Sequence, residues 1–340
     1  MRIRIFAVAC LLATNLFTVS AQKWFTPEAE KRTDALLSRV VEGNYKNNRY
    51  PLLRKPLMEL PLGSIKPKGW LHEMLVRQKN GASGQMDVLY PSVMGKRNGW
   101  LGGDGDQWER GPYWIDGLLP LAYILDDEAL KAKVQPWIEW ALQSQREDGF
   151  FGPEKDYPGE PGLQRDNSHD WWPRMVMLKI LQQYYSATND KRVVAFMTKY
   201  FRYQLNTLPQ KPLGHWSSWA EFRACDNLQA VYWLYNLTGE DFLLELGHLL
   251  HRQSFSFTDM VDRGDLRKTC TILYTVSIWR KASKNRLFII NKIPTGNILM
   301  PSRKVFGIFA GSTGSRKACM EAMRLCMETI LHKARSCVRP

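Results

Sequence analysis

Between about residues 118 and 253 the apolar side chains return every three or four positions. Val134, Trp137, Ile138, Ala141 and Leu142 would share one helix face, and Met177, Ile180, Leu181, Tyr184 and Tyr185 another. Val193, Phe196, Met197, Tyr200 and Phe201 repeat the pattern, as do Leu228, Val231, Tyr232 and Tyr235. Phe242, Leu246, Leu249 and Leu250 end the series. Strand-like alternation is scarce. The polar breaks recur as well: "AYILDDEAL", "YYSATNDKRV" and "LYNLTGEDFL" each set an aromatic helix end before a short polar turn and a second helix. Tyr123, Tyr185 and Tyr235 stand at matching points, 62 and 50 residues apart. Two helices per unit at that spacing predict an all-α array or closed double ring of hairpins.

Longer segments rich in Trp, Gly and Pro join one hairpin to the next: "MGKRNGWLGGDGDQWERGPYW", "DGFFGPEKDYPGEPGLQRDNSHDWWP" and "LPQKPLGHWSSWAEFRACDN". Alternation of short turns and long connectors places all the connectors at one end of the bundle, where a rigid scaffold presents its binding residues.

Thirteen Trp is a high count, most of it between Trp100 and Trp233, and the connectors hold much of the total. Aromatic rings beside carboxylates suit a sugar, because rings stack on C–H faces while acids accept from hydroxyls. The first connector offers Trp108, Glu109, Tyr113, Trp114 and Asp116 as substrate-binding candidates. The competing reading makes Asp104 and Asp106 turn formers and pairs Glu109 with Arg110. The second offers His169, Asp170, Trp171, Trp172 and Arg174 ahead of Pro173, a residue tolerated in a helix's first turn. Asp170 there is either a ligand contact or the helix cap, and His169 either a catalyst or a hydrogen-bonded structural residue. The third offers Asp226 and Asn227, with Arg223 just before them and capping again the alternative for Asp226.

The net charge of +14 would suggest a nucleic-acid or membrane partner if it were spread over the chain. It is not. Residues 267–340 hold 15 Lys or Arg against Glu321 and Glu328 alone, whereas the first 266 residues are near neutrality with 32 basic and 31 acidic side chains. Neither partner is expected. The start reads as a leader: Arg2 and Arg4, an apolar run "IFAVACLLATNLF", and small residues ending near Ala21. Residues 1–21 are therefore expected to be a signal peptide, and the rest to be exported to a periplasmic or extracellular space, with no membrane attachment after cleavage. Beyond it lie Cys225, Cys270, Cys319, Cys326 and Cys337, whose odd number and spacing match neither a disulfide framework nor a CxxC metal site.

"YWIDGLLPLAYIL", "WIEWALQSQREDGFFGP", "HDWWPRMVMLKILQQYYSATND" and "DNLQAVYWLYNLTGEDFLLEL" together resemble glycoside hydrolase family 127, the β-L-arabinofuranosidase-like six-hairpin glycosidases, over roughly residues 60–260. The resemblance implies an (α/α)6 toroid followed by β-domains, and hydrolysis of oligo- or polysaccharide side chains of plant type. It also implies a catalytic apparatus beyond residue 260, with a glutamate acid/base and a Glu-x-Cys pair plus further cysteines around zinc. A thiolate on zinc is deprotonated at neutral pH and can attack an anomeric carbon. The written chain has no such Glu-x-Cys after the fifth hairpin position.

A one-base slip accounts for that gap. Met is always ATG and Glu begins GA, so Met320-Glu321 read one base out of register forces a glycine codon. Lys317 to Met323 becomes G-M-Y-G-G-D, and the displaced tail can spell "HGQPEGMYGGDEALHGNNPTQGSELC", which restores acids, glycines and a Glu-x-Cys. The expectation is thus a partial (α/α)6 catalytic domain over residues 22–266, an incomplete toroid. A frameshifted, non-native tail over 267–340 follows, beginning at about 262–270. On that reading no catalytic or zinc-ligating residue remains in this chain, although the intact family would need zinc. Glu109, Asp116 or Asp170 forming a substitute carboxylate pair, as in an unsaturated glucuronyl hydrolase-like six-hairpin enzyme, is the alternative, and a non-catalytic sugar-binding remnant is another.

Overall fold

The computed structural model describes residues 47–53 and 58–256. The expected leader, the basic tail and its four cysteines lie outside them. The chain divides into two compact units. Of the first (1–47 and 57–61) the described residues form no helix. The second (48–56 and 62–340) holds every helix described.

Three short helices come first: α1 (Trp70–Asn80), α2 (Ala82–Leu89) and α3 (Pro91–Met94), then a 3-10 turn at Gly99–Leu101. Three hairpins follow. They pair α4 (Arg110–Leu125) with α5 (Glu128–Gln143), then α6 (Trp171–Thr188) with α7 (Arg192–Thr207). After the single turn α8 (Trp219–Phe222), α9 (Ala224–Thr238) pairs with α10 (Phe242–Gln253). Among the described residues there is no strand, and the class is all-α as expected.

Each hairpin turns in the same way. The leading helix ends on a left-handed residue, Asp126 (φ 58°), Asn189 (φ 59°) or Gly239 (φ 75°), the three residue types that adopt this conformation at least cost. Asp127 then caps α5 by accepting from the Leu130 N–H at 3.0 Å. The recurring tyrosines mark this turn too. Lys131 sits 5.4 Å over the Tyr123 ring, and Lys191 sits 5.3 Å over that of Tyr185. Residues from the N-terminal side bind the same end of all three hairpins. The Arg49 N–H donates to Asn236 Oδ1 (2.9 Å), the Leu62 N–H to Ser186 Oγ (3.0 Å) and Lys66 Nζ to the Tyr123 carbonyl (2.9 Å).

The hairpins stack as two layers. Leading helices α4, α6 and α9 pack side by side, and the returning helices α5, α7 and α10 cover them. Burial follows position. Twelve of eighteen residues in α6 and eleven of fifteen in α9 are buried, so these helices are enclosed nearly all round. Helix α7 buries six of sixteen, Val193, Phe196, Met197, Tyr200, Phe201 and Gln204, a single stripe as the periodicity predicts. In α10 the stripe is Leu243, Leu246, Gly247 and Leu250, with Phe242 only half covered, one position off the expected face. Five of the eleven described tryptophans are buried in the core: Trp100, Trp137, Trp171 and Trp172 are at most 2% exposed, and Trp108 is 8% exposed. At the other edge α1 buries nothing, and Trp70, Val88 and Leu89 are 64–70% exposed.

Candidate functional site

The starts of α4, α6 and α9 meet at one end of the hairpins, and the side chains there come from all three connectors. Glu109, just before α4, is the centre. Its Oε2 accepts from the Trp172 indole N–H of α6 and from Arg223 Nη1 at 2.9 Å, just before α9. Its Oε1 has no hydrogen bond among the described residues. The same Arg223 Nη1 donates to the Tyr113 hydroxyl at 3.0 Å. The guanidinium lies between two indoles, 4.2 Å from Trp172 and 4.5 Å from Trp219. Two stacked faces and a carboxylate hold the arginine in one orientation, and it in turn holds Glu109. Trp172 is fully covered, 5.9 Å from the Tyr113 ring, whereas Tyr113 is 41% exposed.

Burial pushes the Tyr113 phenol above its ordinary pKa; Arg223 pulls it back, and Glu109, Asp226 and Asp116 raise it again. Tyr113 therefore keeps its proton at neutral pH and can donate it. The mouth offers one open carboxylate oxygen, one phenolic donor and the edges of two aromatic rings. That set can accept from and donate to vicinal hydroxyls.

Behind it, Asp170 joins the connectors. Its Oδ1 caps α6 by accepting from the Trp172 N–H (3.0 Å), and its Oδ2 accepts from Trp108 Nε1 (3.0 Å) and Ser217 Oγ (2.6 Å). The capping alternative for Asp170 is the one the structure bears out. For Asp226 capping fails. Helix α9 starts at Ala224 with Arg223 at the cap position, so Asp226 stands inside its first turn rather than at its cap. The pairing of Glu109 with Arg110 also fails: Arg110 binds Asp106, four residues before it, and Asp104 binds Arg97 (2.9 Å).

The other candidates are placed away from the mouth or in its scaffold. Arg174 is fully buried and donates to the carbonyls of Phe151, Ser168, Asp170 and Pro153 at 2.7–2.9 Å; burial lowers its pKa to about 10, so it stays charged. Trp171 is core and donates to the Lys211 carbonyl. Asn227 is buried against Gln204 of α7 (2.9 Å). Trp114 points toward α2 and donates to the Ser83 carbonyl. Asp116 is saturated by Lys179 and Gln183. His169 stacks between Phe150 and Trp216, with Nδ1 3.0 Å from Ser168 Oγ, and burial lowers its pKa. The sequence reading noted Arg223 but did not place it in the site, and it omitted Ser217 and Trp219. Their signal was the spacing "SSWAEFR", which sets Trp219 one helical turn before Arg223.

Among the described residues no three His, Cys, Asp or Glu side chains converge on a metal position, and Cys225, the one cysteine there, is buried in α9. These residues do not fit the zinc that the resemblance implies; the ligands expected for it lie past residue 260, outside them.

An acid held open among aromatic rings thus stands at the connector end of a scaffold of stacked helical hairpins. Residues 56–269 match the family model described as Beta-L-arabinofuranosidase, GH127 catalytic domain. The chain belongs to glycoside hydrolase family 127, and its substrate class is carbohydrate. Comparisons with curated proteins and with solved structures gave no match. No described helix is long and apolar enough to cross a membrane.

Proposed function

We propose that this chain derives from an exported β-L-arabinofuranosidase-like hydrolase of plant-type glycans, that its connector-end mouth holds the sugar, and that the chain as written does not turn over. In this reading Glu109 Oε1 and the Tyr113 hydroxyl bind sugar hydroxyls, Arg223 orients both, and Trp219 walls the mouth. The observation that carries it is where the family match stops. It ends at residue 269, in the window where acids vanish from the sequence and the displaced frame starts to spell family-like text. The acid/base and the zinc-binding Glu-x-Cys would then be lost with the frame. A glucuronyl hydrolase-like carboxylate pair has less support, because Asp116 and Asp170 have both oxygens engaged. The test compares the gene as written with a version carrying a one-base correction near codon 265, on a chromogenic β-L-arabinofuranoside. Turnover is expected only after correction. Zinc-dependent arabinose release by the uncorrected chain would refute the proposal.

A further inference from the structure

A second place on the same unit has the features of a ligand site. Two adjoining hollows of about 580 and about 390 Å³ share Trp140 and Gln143 of α5 as their common wall. The larger is floored by Met94, Leu101, Trp114 and Trp137; the smaller runs along the Gly99–Gly103 turn. Together they fall in the range of small-molecule sites. The indoles of Trp100 and Trp114 beside them donate to carbonyls of Gln107, Trp108 and Ser83. Among the described residues those of Trp137 and Trp140 meet no acceptor and open toward the hollow, and Gln143 is exposed with its amide unpaired. These accessible donors line the hollows beside aromatic walls, an arrangement that fits a ligand rich in acceptor oxygens. Gly102 keeps the wall open. It is left-handed (φ 81°), and a Cβ there would stand 2.6 Å from Trp140 Nε1.

Charge narrows the ligand. Asp87 is paired with Lys133 (2.8 Å), Glu139 with Arg192 (2.8 Å) and Glu154 with Arg146 (2.8 Å), which leaves one lysine on each wall, Lys96 and Lys155, and no cluster of either sign. Aromatic walls, unmet N–H donors and an amide, without a charge well, suit the C–H faces and hydroxyls of a neutral sugar chain. Gln107 lines the smaller hollow, and the next residue, Trp108, donates to Asp170 in the scaffold behind the mouth. We infer that the Trp140–Gln143 groove is a secondary binding site for a neutral oligosaccharide, separate from the Glu109 mouth. The inference does not require the mouth to be catalytic.

The experiment is calorimetric titration of the full chain with arabinotetraose and xylotetraose, each variant built on Glu109→Gln so that the mouth is impaired throughout. Binding by Glu109→Gln alone is expected, weakened about tenfold or more by adding Trp140→Ala or Gln143→Ala. Gln143→Ala decides the matter if Trp140→Ala no longer melts cooperatively. Loss of all binding in Glu109→Gln overturns the groove while leaving the mouth reading intact. Binding that persists undiminished in the Gln143 and Trp140 variants also overturns the groove.

Discussion

Replacing Arg174 separates a scaffold role from a ligand role. Its guanidinium has five N–H groups, of which four meet carbonyls of the connector between α5 and α6: Phe151, Pro153, Ser168 and Asp170. It also lies 4.2 Å over the Phe150 ring. Arg174→Met leaves four carbonyls without this donor, each costing about 1–3 kcal/mol where water cannot reach. Loss of the buried cation's own desolvation cost, and water entering the space, offset part of that sum. The net loss is about 4 kcal/mol, a large share of the roughly 5–15 kcal/mol that holds a typical domain. Arg174→Lys keeps the charge but has three N–H groups on a tetrahedral head, so at least one carbonyl stays orphaned; about 2 kcal/mol is expected. Urea unfolding followed by tryptophan fluorescence measures both. If Arg174→Lys unfolds within about 0.5 kcal/mol of the parent yet abolishes sugar binding, Arg174 is a ligand contact and the scaffold reasoning is wrong.

Asp170→Ala removes the α6 cap and the acceptor for Trp108 and Ser217, so a loss of about 3 kcal/mol is expected, with Asp170→Asn recovering part of it; denaturant midpoints decide. His169 supplies a pH dependence. Its folded pKa lies below the ordinary 6.5 because burial disfavours the cation, so below 6.5 the unfolded chain takes up a proton that the folded chain resists. Stability should be flat above about pH 7 and fall as pH drops from there toward 5. His169→Gln should flatten part of that fall in thermal melts, and an unchanged slope would remove His169 as its source.

Much of the architecture was legible because helices write their burial into the sequence at a fixed period. The stripe on α7 and the three turns at Asp126, Asn189 and Gly239 are local features, settled by side chains within a few residues of each other. That all three connectors gather at one end follows from alternating short and long links, and needed no coordinates. Family text was equally readable over roughly residues 60–260, inside the matched span 56–269.

What tertiary structure alone decided is which connector side chains stand together at the open end of the hairpins. Glu109 and Arg223 stand 114 positions apart, and no periodicity pairs them; they meet because α4, α6 and α9 begin side by side. The same packing turned Trp171, Arg174 and Asn227 inward, although their residue types and positions looked as suited to sugar as those of Tyr113. A local pattern reports which face of a helix is buried. The partner of a polar side chain depends on how the helices are stacked, and that is settled by the summed packing of the whole core.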